Sequence, residues 1–196
     1  MQRMRSVSAM IVAGALALCA LVALCGCTSG SEGQAAELLE KADGLYNVST
    51  GIGTKLDTLK AEIEHLMVAN DIAGLEAKQT VIEDMLKNID RSMSQLDKAI
   101  PLYQHVTRLK GVDKYKEYAS LEMEAALKEQ QALAIGRDLV NYVLGVIADA
   151  KSGKPVSLTD SLRSVSTIVN RLDELEREID EAKREAKALA QENKLF

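Results

Sequence analysis

Residues 158–189 read LTDSLRSVSTIVNRLDELEREIDEAKREAKAL, and their apolar members recur at steps of three and four. Leu158, Val165, Ile168, Leu172, Leu175, Ile179, Ala182, Ala186 and Leu189 trace one stripe, the pattern of a helix packed against other helices. Off the stripe stand Glu174, Glu176, Glu178, Asp180, Glu181 and Glu185 among Arg171, Arg177, Lys183, Arg184 and Lys187. That mixture suits a solvated outer face laced with i,i+4 pairs; a coiled-coil partner on the same face is the rival reading. Ser157 followed three residues later by Asp160 resembles a capping box, so the helix starts there.

Three similar stretches precede this one. Leu38, Ala42, Leu45, Ser49, Ile52, Leu56, Leu59, Ile63 and Leu66 mark the first, and Ile72, Leu75, Gln79, Ile82, Leu86, Ile89, Met93, Leu96, Ile100 and Tyr103 the second. The third runs through Tyr118, Leu121, Ala125, Ala132, Ile135, Leu139, Tyr142 and Val146. Asn70-Asp71 breaks the phase between the first and second, supplying a stop and then a cap. Gly111 ends the second in a left-handed conformation and Asp113 caps the third, while residues 151–155 (KSGKP) form the clearest loop. The expectation is an all-α chain: helices near 35–69, 71–110, 113–151 and 157–196 in a long antiparallel up-down-up-down four-helix bundle with coiled-coil-like packing. At 1.5 Å per residue such a bundle is about 55 Å long. Residues 47–54 (NVSTGIGT) are poor helix sequence, with Thr54 and Asp57 able to restart the helix, and Pro101 predicts a kink in the second helix rather than its end.

Upstream of the first stripe the chain changes character. Arg3 and Arg5 are followed by an uncharged run from Ser6 to Ser31 that closes on Leu24-Cys25-Gly26-Cys27. A basic start, an apolar centre and a small-residue exit make an export signal. The four closing residues resemble the lipobox of bacterial lipoprotein precursors. The resemblance implies cleavage before Cys27, acylation of Cys27, a signal peptide over residues 1–26 and an extracytoplasmic, lipid-anchored product on the cell membrane, or on the outer membrane where the cell has one. Cys19 and Cys25 each follow a leucine where the motif wants a small residue, and both leave with the signal. Two other readings stand beside it: an uncleaved anchor, since residues 9–27 could just span a bilayer, and an ordinary secretory signal with a soluble product. Residues 27–34 read as the lipidated cysteine and a short flexible tether that keeps the bundle against the membrane.

Residues 1–26 hold two of the basic side chains, so their removal leaves 170 residues with 22 basic against 29 acidic groups, a net charge of −7. That balance argues against nucleic acid, which needs a basic stripe, and against electrostatic adhesion to anionic lipid. Attachment then rests on the acyl chains of Cys27. No tryptophan is present, so a stacking platform for sugars or bases is not expected. With Cys27 as the sole cysteine after cleavage, no disulfide frames the fold.

Catalytic and cofactor signals are thin. Glu62 and His65 form a Glu-x-x-His, one half of what a bundle di-iron site requires, but Leu102 precedes His105 where the second glutamate belongs. No phosphate loop, nucleophile elbow or Cys-His pair is present. The expectation is a protein that is no enzyme and takes no cofactor. Residues 139–148 (LVNYVLGVIA) are apolar almost all round. They read first as a buried layer; the sharper reading makes Leu139, Val140, Tyr142, Val143, Val146 and Ile147 an interaction face at the tip farthest from the membrane. Tyr46, Tyr103, Tyr115, Tyr118 and Phe196 gather at the opposite end, as core filling or as an interfacial contact with headgroups.

The functional expectation is a non-catalytic interaction or scaffold module at the cell envelope, with an envelope protein or a second copy as partner. One alternative is a ligand-sensing or ligand-carrying bundle with a cavity near Ser49, Gly51 and Gly53. The other is a metal-binding bundle using Glu62 and His65.

Overall fold

The computed structural model describes residues 30–195. Helix α1 covers residues 30–50, α2 Gly53–Val68, α3 Ile72–Ala77, α4 Gln79–Arg108, α5 Asp113–Lys151 and α6 Leu158–Asn193, with no strand among the described residues. Four rods result: α1 continued by α2, α3 continued by α4, then α5, then α6. Polar pairs between rods set the directions. Asp97 accepts from Gln130 at 2.7 Å, Asp90 pairs with Arg137, and Gln79 accepts from Lys151 at 2.5 Å, so α4 and α5 run antiparallel. Lys128–Glu178 at 3.2 Å ties α5 to α6, and Lys60–Asp173 at 2.8 Å ties α2 to α6. The fold is an all-α helical bundle.

Packing follows a seven-residue repeat. In α4 the buried positions are Ile82, Met85, Ile89, Ser92, Leu96, Ala99, Tyr103 and Val106, alternating steps of three and four throughout. The expected stripe through Leu86, Met93 and Ile100 lies one position away, where those side chains are only half-buried against the core. The same one-residue shift in α1 buries Ala35, Leu39 and Tyr46 and leaves Leu38 and Leu45 on the rim. A stripe wider than two positions per heptad contains both choices, and only the facing helices select between them.

The weak points of the sequence resolve individually. At residues 51–52 the first rod is interrupted by one disturbed turn, with Ile52 still in right-handed helical geometry and its carbonyl accepting from Leu56 N–H at 2.9 Å. Ser49 Oγ and Thr50 Oγ1 donate back to the carbonyls of Tyr46 and Asn47, at 2.6 and 3.1 Å, competing with the helix ladder just before two glycines. Thr54 does not restart the helix; it lies inside α2, where its carbonyl accepts from Thr58 Oγ1. α4 continues through Pro101 to Arg108. Pro101 and Asp97 are both exposed, so the carbonyl deprived of its donor can be met by water.

Three corners end in the same way. At Asn70 (φ 55°), Gly153 (φ 75°) and Lys194 (φ 52°) the chain turns left-handed, and the following N–H reaches back to close the helix: Asp71 to Leu66, Lys154 to Asp149, Leu195 to Ala190. Asp71 then caps α3 by accepting from Gly74 N–H at 2.8 Å, and Ser157 caps α6 by accepting from Asp160 N–H at 3.3 Å. The expected cap at Asp113 is not made: Val112 holds that position without a side-chain bond, and Asp113, inside the first turn, pairs with Lys116 at 3.1 Å. Residues 30–34 also differ from expectation. They are helix rather than tether, because Ala35 and Leu39 are fully buried and tertiary packing outweighs the two glycines there.

Candidate functional site

Cys27, the lipidation candidate, lies outside the described residues, as do the signal segment and Phe196. No helix among the described residues is long and apolar enough to cross a membrane.

The apolar segment of α5 is interior. Leu139, Val140, Val143 and Ile147 are at most 2 % exposed and Val146 is buried with them; only Tyr142 is half-buried. α5 is flanked by α4 and α6 and also touched by α3, so a helix apolar all round finds cover on most of its surface. These six residues therefore do not offer a free interaction face. The tyrosines follow the core-filling reading. Tyr46, Tyr103, Tyr115 and Tyr118 are all buried, which withdraws them from headgroup contact.

Glu62 and His65 do not converge either. Glu62 Oε2 is held by Lys78 Nζ at 2.8 Å, and His65 is exposed on α2. Among the described residues no group of three or more His, Cys, Asp or Glu side chains is placed to hold a metal ion.

What the helices do bring together is a cluster of buried phenols and half-buried carboxylates. Asp43 of α1 accepts from Tyr103 of α4 at 2.6 Å through one carboxylate oxygen and from Tyr118 of α5 at 3.0 Å through the other. One carboxylate thus joins three rods. Glu122, one turn beyond Tyr118 on α5, interacts with the same hydroxyl. Burial raises the Glu122 carboxyl to about 7, the neighbouring Asp43 charge pushes it the same way, and Lys183 with the Tyr118 hydroxyl opposes. Asp43 is also raised by burial, against the pull of its two phenol donors. The phenols of Tyr103 and Tyr118 are raised well above their ordinary range, chiefly by burial and then by the adjacent carboxylates.

On the α6 side, Lys183 Nζ sits 4.4 Å from the centre of the Tyr46 ring, a cation–π contact across α1 and α6. The Tyr46 hydroxyl is buried without a hydrogen-bond partner, and burial with the charges of Glu129, Glu122 and Asp180 raises its pKa. Next to it a cleft of about 250 Å³ opens at the disturbed turn, where Thr50, Gly53 and Thr54 meet Glu129, Glu176 and Asp180. Of the small residues Ser49, Gly51 and Gly53, only Gly53 lines this cleft; Gly51 lines a separate one between the first rod and α4, and Ser49 is buried. A larger groove of about 430 Å³ separates α2 from α4, floored by Leu59 and Met85.

Asp43, Glu122 and Glu129 were not among the sequence candidates. Their signal was present in α5: Ala119, Glu122, Ala126, Glu129, Leu133 and Gly136 step by three and four, which puts both glutamates on core positions. The stripe through Leu121 and Ala125 passes beside them. Glu176 and Asp180, expected to be solvated partners of Arg184, line the cleft, and Arg184 Nε donates to the Asp180 carbonyl at 3.3 Å.

Comparison of the chain with protein-family models, with characterised proteins and with solved structures yields no match, so the site is read from its own geometry.

Proposed function

We propose that the chain is an extracytoplasmic lipoprotein whose helical bundle serves as a non-catalytic binding or scaffold module beside the membrane. The observation that carries this reading is the Leu24-Cys25-Gly26-Cys27 motif at the end of an uncharged run behind Arg3 and Arg5. Two acyl chains on Cys27 would anchor durably where one binds only marginally. The non-catalytic part of the reading is supported by the histidines. Both are exposed, on α2 and α4.

The test is to replace Cys27 by alanine and follow fatty-acid labelling together with membrane fractionation. The parent is expected to label and sediment with membranes, and Cys27→Ala to do neither. Labelling that persists in the variant overturns the lipobox reading, and sedimentation without labelling favours an uncleaved anchor.

A second reading, a ligand-carrying bundle, is favoured by the cleft at Gly53, in which polar and apolar side chains from three rods converge.

A further inference from the structure

The cleft at the disturbed turn gathers more negative charge than its walls neutralise. Asp57 of α2, Glu129 of α5 and Glu176 and Asp180 of α6 line it, with Lys183 as the one basic group of the lining. Lys183 lies over the Tyr46 ring and its single charge is shared between Glu122 and Glu129, while Lys60, just outside, is divided between Asp57 and Asp173 at 3.1 and 2.8 Å. Glu129 is the informative member. It is 9 % exposed, faces the cleft, and makes no hydrogen bond or ion pair among the described residues. A carboxylate so deeply buried without a donor is expensive unless a cation or a proton joins it. The Tyr46 hydroxyl beside it is buried and equally unpartnered.

A second pair adds to the imbalance. Glu176 comes within hydrogen-bonding reach of Asp57 across α2 and α6, and burial followed by the Asp57 charge raises its carboxyl. Glu176 and Asp180 are one α6 turn apart, so the Asp57–Glu176 pole and the Glu129–Asp180 pole are separated by about 6 Å along the helix. Ile179 lies between them on α6, and Leu133 and Leu172 complete an apolar floor. Two acidic poles about one helical turn apart over an apolar floor match an elongated cation with an aliphatic stem. They do not match a metal ion, which needs its donors converging on one point, and among the described residues no such group exists.

We propose that this cleft binds a short aliphatic diamine or polyamine, one ammonium between Glu129 and Asp180 and the other between Asp57 and Glu176. The methylenes lie over Leu133, Leu172 and Ile179, and the terminal ammonium comes within reach of the Tyr46 oxygen. Entry is past Gly53, where a Cβ would meet nothing within 4 Å. The inference deepens the ligand-carrying reading and is independent of acylation, so Cys27→Ala leaves it intact and the two proposals fail on separate measurements.

The test is calorimetric titration of the full chain in detergent with 1,4-diaminobutane, spermidine, n-butylamine and Mg²⁺ at matched ionic strength. The diamine and spermidine are expected to bind saturably and at least tenfold tighter than n-butylamine, with no saturable Mg²⁺ binding. Glu129→Gln is expected to weaken the diamine tenfold or more. Gly53→Leu keeps every charge, improves helix propensity and adds bulk at a lining position, and with its fold checked by circular dichroism it should abolish binding. Absence of saturable diamine binding, Mg²⁺ competing as well as the diamine, or unchanged binding in Gly53→Leu each overturns the proposal.

Discussion

Between residues 139 and 147 α5 buries Leu139, Val140, Val143 and Ile147, whereas between 118 and 129 the same helix turns Glu122 and Glu129 onto core positions. Within this distal segment the packing is burial, which is non-directional and tolerates any neighbour of the right size, and polar ties to α4 stand at its ends, Arg137–Asp90 and Lys151–Gln79. The proximal half is held by a carboxylate that two phenols must find from two different rods. Burying polar groups costs stability unless every partner is in place, so this half is the less stable design and the more selective one. It is also the half beside the acidic cleft.

The contrast can be broken most forcefully from the distal side. Val143 is fully buried, and Val143→Glu should abolish the cooperative fold, seen as loss of the thermal transition by circular dichroism. A folded Val143→Glu protein would mean that this segment has an open face after all. Leu139→Ala, at a position 1 % exposed, should cost about 3 kcal/mol in urea unfolding, and by the same amount at pH 5 and pH 8 because nothing titratable is involved.

The proximal half should respond to pH. Glu122 has a folded pKa of about 7 against an ordinary 4.5, so the folded chain holds its proton more tightly than the unfolded one. Stability from this group is fully present below pH 4.5, falls as pH rises to about 7 and is level above that. The span is on the order of 3 kcal/mol. The groups facing it are Asp43 from α1, Tyr118 on α5 and Lys183 from α6, and Asp43, raised by burial, adds a slope of the same sign. Glu122→Gln should flatten the profile and be more stable than the parent at pH 8 while matching it at pH 5. Parallel profiles for parent and variant would place the titration elsewhere. The smallest effect belongs to the distal corner. Asp71→Ala removes the α3 cap and should cost about 1 kcal/mol in urea unfolding at neutral pH.

Much of the fold was legible because helix periodicity and helix ends are local signals. Asn70, Gly111, Gly153 and Ser157 mark corners whose geometry follows from the residues themselves. The cap expected of Asp113 failed because Val112 and Asp113 compete for one position, and a buried Val112 is worth more to the core than a side-chain bond at the surface. The site was less legible. Asp43 lies beside the α1 stripe rather than on it, and its meaning comes only from Tyr103 and Tyr118, 60 and 75 residues away.

By itself the sequence determined that this chain is an all-α bundle of four helical rods, since a 3.5-residue apolar repeat and short corners each act within a few turns of chain. The tertiary structure decided which side of each stripe is core, enclosed residues 139–147 instead of offering them, and set Asp43, Glu122 and Glu129 inside. Those outcomes depend on rods meeting across the bundle, where one residue of register exchanges rim for core.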